Sequence, residues 1–176
     1  MLGSGPILGL APAPHYTFLV YVSPVGNYFK EGTAPLNIYI EEEYHRAVHG
    51  GAGGIKSITN YAPVMKPITM AKGRGFSDVL YLDSVHKRYV EEVEERLVEV
   101  EELCEADEVF CTGTAVGVAT VGSITYKGKR IEYKLGEEHV SKKLGSTLVG
   151  IQKGIIGDKR GWVMEIGEQT SWSNSM

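Results

Sequence analysis

The stretch VFCTGTAVGVATVGSITY, residues 109–126, is rich in β-branched residues and is followed by Lys127-Gly128. Such a composition predicts strands, and a turn dipeptide followed by RIEY at 130–133 predicts a β-hairpin. Other apolar runs bounded by turn residues predict further strands at 16–22, 36–40, 78–82 and 162–166. The chain is therefore expected to contain a substantial amount of β-structure.

Helices are predicted on both sides of this β-rich stretch. One spans about 60–72, where Pro63 suits the first helical turn. Pro67 lacks an N–H group and costs about 3 kcal/mol in a helix interior, so it should kink or shorten this helix. A second helix is indicated by apolar residues that recur at helical spacing, namely Val140, Leu144, Leu148 and Ile151.

The segment 91–108 is the most acidic part of the chain. It holds nine Glu and one Asp against a single Arg. Apolar residues at Val93, Leu97, Val100 and Cys104 share one face of a helix, so periodicity predicts one amphipathic helix with a solvated acidic face. The alternative, favoured by the resemblance described below, is a short strand followed by a helix from Val98 onward.

Composition limits the classes of partner. The chain has 176 residues, 43% of them apolar, and a net charge of −4, which is typical of one globular domain. This balance lacks the basic surface that nucleic-acid binding needs, and no apolar run approaches the roughly 20 residues of a membrane-spanning helix. We therefore expect neither a nucleic acid nor a membrane as a partner.

Signals for a cellular compartment are few. Cys104 and Cys111 are the only cysteines, and their spacing matches no zinc or redox motif, so a reducing compartment is expected. The first 14 residues, MLGSGPILGLAPAP, carry no charged side chain and lack the Arg-rich, amphipathic character of a transit peptide. The default expectation is the cytoplasm.

Lys56 is the first candidate for chemistry. It follows the glycine-rich loop GGAGG at 50–54 and precedes a predicted helix start, where backbone N–H groups favour anions. The Walker nucleotide-loop motif is excluded, because it requires Gly-Lys-Ser/Thr and this chain reads Gly54-Ile55-Lys56-Ser57. From local sequence alone, a solvated surface lysine remains the alternative.

Three other residues are candidates for reactive or metal-binding groups. His45 and His49 lie four residues apart and would share a helix face, as zinc ligands do, but no third ligand has suitable spacing. Two exposed histidines are the simpler interpretation, and no metal is expected. Cys111 is interpreted as a small core residue rather than a nucleophile.

Four stretches form a recognisable set: YTFLVYVSPVGNYFKEG (16–32), HRAVHGGAGGIKSITNYAPVMK (45–66), SDVLYLDSVHKRYVEEV (77–93) and ADEVFCTGTAVGVATVGSITYKGKR (106–130). This set resembles the plant-type branched-chain aminotransferases, which are class IV pyridoxal-phosphate enzymes. The most specific part is the Arg-x9-Lys-x3-Asn-Tyr block at 46–61. The resemblance implies an α+β fold, an incomplete large domain of the class IV, D-amino-acid aminotransferase-like type, with mixed sheets and flanking helices.

The resemblance also implies roles for individual residues. Lys56 matches the lysine that binds pyridoxal phosphate covalently and moves a proton to and from the substrate α-carbon. A lysine amine in water is mostly protonated at neutral pH, so the site must desolvate it or place positive charge nearby. The other matches are Tyr61 with the cofactor phenolic oxygen, Glu92 with the pyridine nitrogen, Thr114 with the cofactor phosphate, Ala115 with the substrate carboxylate through its backbone, and Arg46 with a motif arginine near the cofactor.

Two of these matches have simpler alternatives. Glu92 is one of nine glutamates in its segment, so on local sequence it is a member of the acidic face. Arg46 lies just after Glu41, Glu42 and Glu43, and a surface ion pair with a neighbouring Glu is its alternative.

The chain also departs from the family pattern. The resemblance assigns residues 1–25 to the final segment of a small domain, 26–35 to an interdomain linker and 36–176 to part of the large domain that binds pyridoxal phosphate. After Glu92-Val93 the family continues through a core strand and a Gly-Ile-Thr phosphate loop, but here EERLVEVEEL follows directly. A lost strand with several large apolar side chains forfeits about 1.5 to 3 kcal/mol for each, against a domain stability of about 5 to 15 kcal/mol. A marginal fold is expected.

The implied function is transamination between leucine, isoleucine or valine and 2-oxoglutarate, with pyridoxal phosphate as the cofactor. The ligands are then a small amino acid and a 2-oxo acid, and the family implies a homodimer. Full-length relatives are expected in the plastid or the mitochondrion. The alternative is a non-catalytic, truncated remnant of such an enzyme.

Overall fold

In a computed structural model, the fold is a mixed sheet with helices beside it. The structure describes residues 1–24, 26, 28–29, 32, 34–91 and 97–164. In chain order the elements are β1 (Leu2–Ser4), β2 (His15–Thr17), β3 (Leu36–Glu41), a 3-10 turn (Ile58–Asn60), α1 (Ala62–Gly73), β4 (Asp78–Tyr81), α2 (Val100–Glu105), β5 (Val109–Gly113), β6 (Gly117–Tyr126), β7 (Lys129–Glu132) and α3 (Val140–Gln152).

The main sheet has the strand order β4-β3-β6-β5, and β7 also pairs with β6. β3 runs parallel to both β4 and β6, whereas β5 and β7 are antiparallel to β6. The predicted hairpin is confirmed, and its turn residues Lys127 and Gly128 both have positive φ, 48° and 73°. Positive φ at both central residues matches the right-handed twist of the paired strands. Parallel and antiparallel pairs together confirm the α+β expectation.

The core forms around β3. Leu36, Ile38 and Ile40 alternate along this strand and are almost fully buried. They belong to a cluster completed by Leu82, Val100, Val121, Ile124 and Tyr133. Each such apolar side chain contributes about 1.5 to 3 kcal/mol when it leaves water. The core is therefore made by strands from both the N-terminal and the C-terminal half of the chain.

Helix α1 is longer than its two prolines suggest. The hydroxyl of Ser57 accepts a hydrogen bond from the Thr59 N–H at 3.3 Å and starts the 3-10 turn that leads into the helix. The helix then continues through Pro67 for 12 residues, so the expected shortening is not observed. Pro67 removes only the hydrogen bond that its N–H would donate to the Pro63 carbonyl, and burial of its ring against the domain offsets that loss.

Two strand predictions are wrong in part. In the segment 16–22 the strand ends at Thr17, and Phe18 to Val22 are irregular and 62–96% exposed. Among the described residues, no strand lies beside them to supply hydrogen-bond partners. At 162–166, residues 162–164 form no strand, and 165–166 lie outside the described residues.

The single helix predicted across 91–108 is also wrong. Val90 N–H donates to the Val98 carbonyl at 2.8 Å, and Tyr89 forms a β-bridge with Glu99, so the chain is extended before α2 begins at Val100. This confirms the alternative of a short strand followed by a helix. Val100 is completely buried, which places the helix start in the core. Residues 92–96 lie outside the described residues.

Helix α3 is confirmed, and its predicted apolar stripe is confirmed in part. Leu148 and Ile151 are half-buried, whereas Val140 and Leu144 are about half exposed, and Ser141 and Gly150 are buried instead. The helix start is held by polar contacts, because the Glu108 carboxylate accepts the N–H groups of Val140 and Ser141 at 2.9 and 2.8 Å. Polar contacts as well as apolar burial therefore position α3.

None of the helices in the described part of the chain has both the length and the apolar character needed to cross a bilayer.

Asp83 organises the turn that follows β4. Its carboxylate accepts the backbone N–H groups of His86, Arg88 and Tyr89 at 2.6 to 2.9 Å. Burial alone would raise the pKa of Asp83, but these N–H donors outweigh burial and lower the pKa well below its ordinary value. The ionised form of Asp83 is thus part of the folded structure.

Replacing Asp83 with Asn should lower the free energy of unfolding by about 1.5 to 3 kcal/mol, the range for hydrogen bonds to charged groups. Because folding lowers the pKa of Asp83, its contribution is complete above about pH 4 and is lost as the pH falls further. The difference between wild type and D83N in urea unfolding should therefore shrink in acid. Asp107→Asn, at an exposed site, is the control and should change stability little; equal losses would contradict this role.

Candidate functional site

Lys56 lies on a loop that is held by its own hydrogen bonds. This lysine loop, residues 48–57, contains the bonds Gly51 N–H to Val48 O and Ile55 N–H to Ala52 O, both 2.9 Å. The Asn60 side-chain amide donates to the carbonyls of Ala52, at 3.0 Å, and Ile55. The Lys56 residue itself is exposed. The Lys56 amine is thus accessible to solvent, and hydrogen bonds hold the backbone that carries it.

The lysine loop also rests on the segment that precedes it. A Cβ atom built on Gly53 would lie 2.4 Å from the Ala47 Cβ, closer than two carbon atoms can approach. Only glycine fits at position 53, and this close contact fixes the loop beside Ala47. His45, two residues earlier, donates through Nδ1 to the Leu82 carbonyl at 3.3 Å. The motif block is therefore anchored at its first end.

Tyr61 lies five residues after Lys56, at the start of α1. Its N–H donates to the Ile58 carbonyl at 3.0 Å, which places the tyrosine at the junction between the 3-10 turn and the helix. The side chain is 51% exposed. Lys56 and Tyr61 are thus carried by one continuous piece of backbone.

Arg46 forms an ion pair across the structure rather than with its sequence neighbours. Its Nε and Nη2 atoms donate to the two carboxylate oxygens of Glu91. The side chains of Arg46 and Glu91 are only 20% and 17% exposed. The expected ion pair of Arg46 with a glutamate is thus observed, but the glutamate lies 45 positions away in the chain rather than beside Arg46. Glu92, the next residue, lies outside the described residues.

Thr114 and Ala115 lie in the turn between β5 and β6. They line a cleft of about 760 Å³ whose other wall is α3, including Ser141, Lys142 and Lys143. Of the described residues that line this cleft, none is Lys56, Tyr61 or Arg46. No described residue of the lysine loop therefore forms part of the wall of the cleft beside Thr114 and Ala115.

The metal interpretation of the histidines gains no support from geometry. Among the described residues, no group of three or more His, Cys, Asp or Glu side chains is arranged to hold a metal ion. His45 and His49 lie in irregular structure and a turn, so they do not share a helix face. Burial raises the pKa of the Cys111 thiol, which favours the neutral, unreactive form.

Two residues of this region had no distinguishing signal in the sequence. Glu91 is one of nine glutamates in its segment, and its link to Arg46 depends on tertiary contact. Gly53 is one of four glycines in GGAGG, and periodicity does not separate it from Gly54. Only the close contact with Ala47 identifies it.

The chain is similar to plant aminotransferases. It is 55% identical over 208 aligned residues to branched-chain-amino-acid aminotransferase 2, chloroplastic, of Arabidopsis thaliana, with 94% of this chain and 54% of the relative covered. It is 50% identical to branched-chain amino acid aminotransferase 1, mitochondrial, of Humulus lupulus, with 94% and 53% covered. A methionine aminotransferase of Arabidopsis thaliana is 38% identical, with 96% and 59% covered. No model of a protein family matches the chain.

The chain spans about half the length of these curated relatives. The stretch of 208 aligned positions exceeds the 176 residues of this chain, so the relative has positions with no counterpart here. Such a gap agrees with the block expected to be missing after Val93.

Solved structures show the same fold. The branched-chain aminotransferase of Thermoproteus uzoniensis matches with a TM-score of 0.59 at 17% identity, covering 75% of this chain and 55% of that one. The branched-chain aminotransferase of Escherichia coli matches with a TM-score of 0.59 at 19% identity, covering 80% and 59%. The fold is that of part of a class IV aminotransferase, as expected.

Gly53→Ala should loosen the lysine loop, because the new methyl group cannot fit against Ala47 without displacing one of the two segments. Inserting a methyl group into a filled space costs about 1 to 3 kcal/mol. Faster hydrogen exchange at 48–57 and a lower unfolding temperature would register this change. Gly54→Ala is the matched control, since open space surrounds a Cβ at that position. Equal effects of both variants would contradict the proposed contact.

Proposed function

Because this chain is a homologue of the plant branched-chain aminotransferases, we propose that its function is transamination, the transfer of the amino group of leucine, isoleucine or valine to 2-oxoglutarate. Pyridoxal phosphate is the proposed cofactor. The observation that carries the proposal is the position of Lys56 in the Arg-x9-Lys-x3-Asn-Tyr block, on a loop whose backbone is held by hydrogen bonds. An aldehyde cofactor needs the amine that a lysine carries.

The residues present fit this cofactor in their chemistry. A primary amine, a phenol and a hydroxyl are available at Lys56, Tyr61 and Thr114, and these groups suit an aldehyde, a phenolic oxygen and a phosphate. Lys56 is exposed, which leaves its amine open to a ligand but does not supply the desolvation that the amine needs. The arrangement is incomplete in this respect, and Thr114 lines a cleft whose described wall residues do not include Lys56 or Tyr61.

Each proposed role belongs to a residue of this chain. We assign covalent binding and proton transfer to Lys56, the phenolic oxygen contact to Tyr61 and the phosphate contact to Thr114. Glu92 is assigned to the pyridine nitrogen, Ala115 to the substrate carboxylate and Arg46 to the surroundings of the cofactor. Bound pyridoxal phosphate would supply an electron sink for the substrate carbanion.

Domain assignment, partners and location follow from the same homology. We propose that residues 1–25 end a small domain, that 26–35 link the domains and that 36–176 are part of the cofactor-binding domain. A second copy of the chain is the proposed protein partner. The relatives are named as chloroplastic or mitochondrial, and one of these organelles is the proposed location.

A second candidate is a non-catalytic remnant of the enzyme. The observation that favours it is that no described residue of the lysine loop lines the cleft beside the Thr114–Ala115 turn. A chain without a closed pocket binds its cofactor weakly, because an open amine gains nothing from burial of the ligand.

Trapping of the cofactor separates the two candidates. The purified protein, mixed with pyridoxal phosphate and reduced with borohydride, should carry its label predominantly on Lys56, because that amine is accessible and belongs to the family motif. Peptide mass spectrometry locates the label, and Lys56→Ala should reduce it to background.

Lys72→Ala removes another exposed lysine, on α1, and should leave the label unchanged. Labelling spread evenly over the lysines, or absent, would reject cofactor binding and favour the remnant.

A further inference from the structure

We propose that Glu91 is a positioning residue for the lysine loop, acting through Arg46. This inference rests on the proposed function for its chemical meaning and on the Arg46–Glu91 ion pair for its geometry. Nothing in the local sequence distinguishes Glu91 from the other acids of its segment.

The Arg46–Glu91 ion pair restricts the position and the orientation of its two side chains relative to each other. Two guanidinium nitrogens of Arg46 meet the two carboxylate oxygens of Glu91, so the pair is bidentate. Such forks restrict both distance and orientation, and they are stronger than single contacts. Both side chains are about four-fifths shielded from solvent. Ion pairs exposed to solvent, by contrast, contribute little to the free energy of unfolding.

The Glu91 end of the pair is rigid. Glu91 N–H donates to the Tyr81 carbonyl at 2.9 Å, and the preceding Val90 N–H donates to Val98 O at 2.8 Å. Val90 also forms a β-bridge with Leu82, and both of these residues are buried. The carboxylate therefore projects from a segment that is hydrogen-bonded on both sides and tied to the core.

The Arg46 end leads to Lys56 by direct contacts. Ala47 follows Arg46 and fills the space where a Gly53 side chain would lie. Gly53 sits between Ala52 and Ile55, whose carbonyls Asn60 holds. These contacts form a continuous path along which a shift of Arg46 is expected to reach Ala47, Gly53 and the backbone that carries Lys56.

The Arg46–Glu91 ion pair therefore connects two segments of the chain that carry proposed site residues. One end of the ion pair is in the Arg-x9-Lys block, and the other end directly precedes Glu92 in the chain. Glu91 thus ties the lysine loop to the hydrogen-bonded stretch at 89–91, and the proposed pyridine-nitrogen partner is the next residue in the sequence.

Hydrogen exchange on the protein without cofactor tests this link. Glu91→Gln removes the charge and one half of the fork, and amides at 48–57 should exchange about tenfold faster or more, as local opening becomes easier. Glu91→Asp keeps the carboxylate and should restore part of the protection. Glu138→Gln is the matched control, because Glu138 pairs with Lys143 at 2.8 Å on the exposed surface. It should leave exchange in the loop unchanged.

A second variant keeps the test decisive if E91Q unfolds. Arg46→Lys keeps the positive charge but loses the planar fork, so it should accelerate exchange at 48–57 without unfolding the sheet. Unchanged exchange in this variant, or equal acceleration in E138Q, overturns the proposal.

Trapping separates this inference from the proposed function. In E91Q the share of borohydride-trapped label on Lys56, relative to Lys72, should fall, and in E138Q it should not. A wild-type protein that traps nothing on Lys56 rejects the proposed function, while the exchange data still decide the link. Intact Lys56 selectivity in E91Q overturns the positioning role.

Discussion

The pairing of β3 with β4 on one edge and with β6 on the other is the constraint on which this structure depends. The three strands come from distant parts of the chain, and parallel pairing cannot be made by a tight turn. Burial of Leu36, Ile38 and Ile40 holds the arrangement together. The lysine loop and α1 occupy the connection between β3 and β4, and the Thr114–Ala115 turn precedes β6. Both halves of the proposed site are therefore positioned by one central strand.

Sequence predicted best where local chemistry and tertiary structure agree. The hairpin follows from its turn dipeptide Lys127-Gly128, the core strand β3 from an apolar run bounded by turn residues, and helix α1 from Pro63, which suits a first helical turn. Prediction failed where a partner decides the outcome. Phe18 to Val22 have strand composition but no neighbouring strand among the described residues, and the extended segment before Val100 pairs with residues 88–90 instead of joining a helix. The N–H groups at the start of α3 donate to Glu108, which lies 32 and 33 positions away in the chain, and periodicity does not reveal such a contact.

The site shows the same division. The glycine-rich loop before Lys56 made it a candidate from local sequence, and the motif block gave it a specific role. Its support by Asn60, Gly53 and the Arg46–Glu91 pair could not be predicted from sequence, because these contacts join residues up to 45 positions apart. The absence of Lys56 from the described wall of the cleft beside Thr114 is likewise a tertiary feature. It bears directly on whether this chain is an enzyme or a non-catalytic remnant of one.

The exposed segment from Phe18 to Val22 affects how the protein behaves in solution. It combines five apolar residues with no charged side chain, and no strand among the described residues pairs with it. Such a composition favours edge-to-edge association between chains. The side chains at these five positions are therefore expected to influence self-association of this chain.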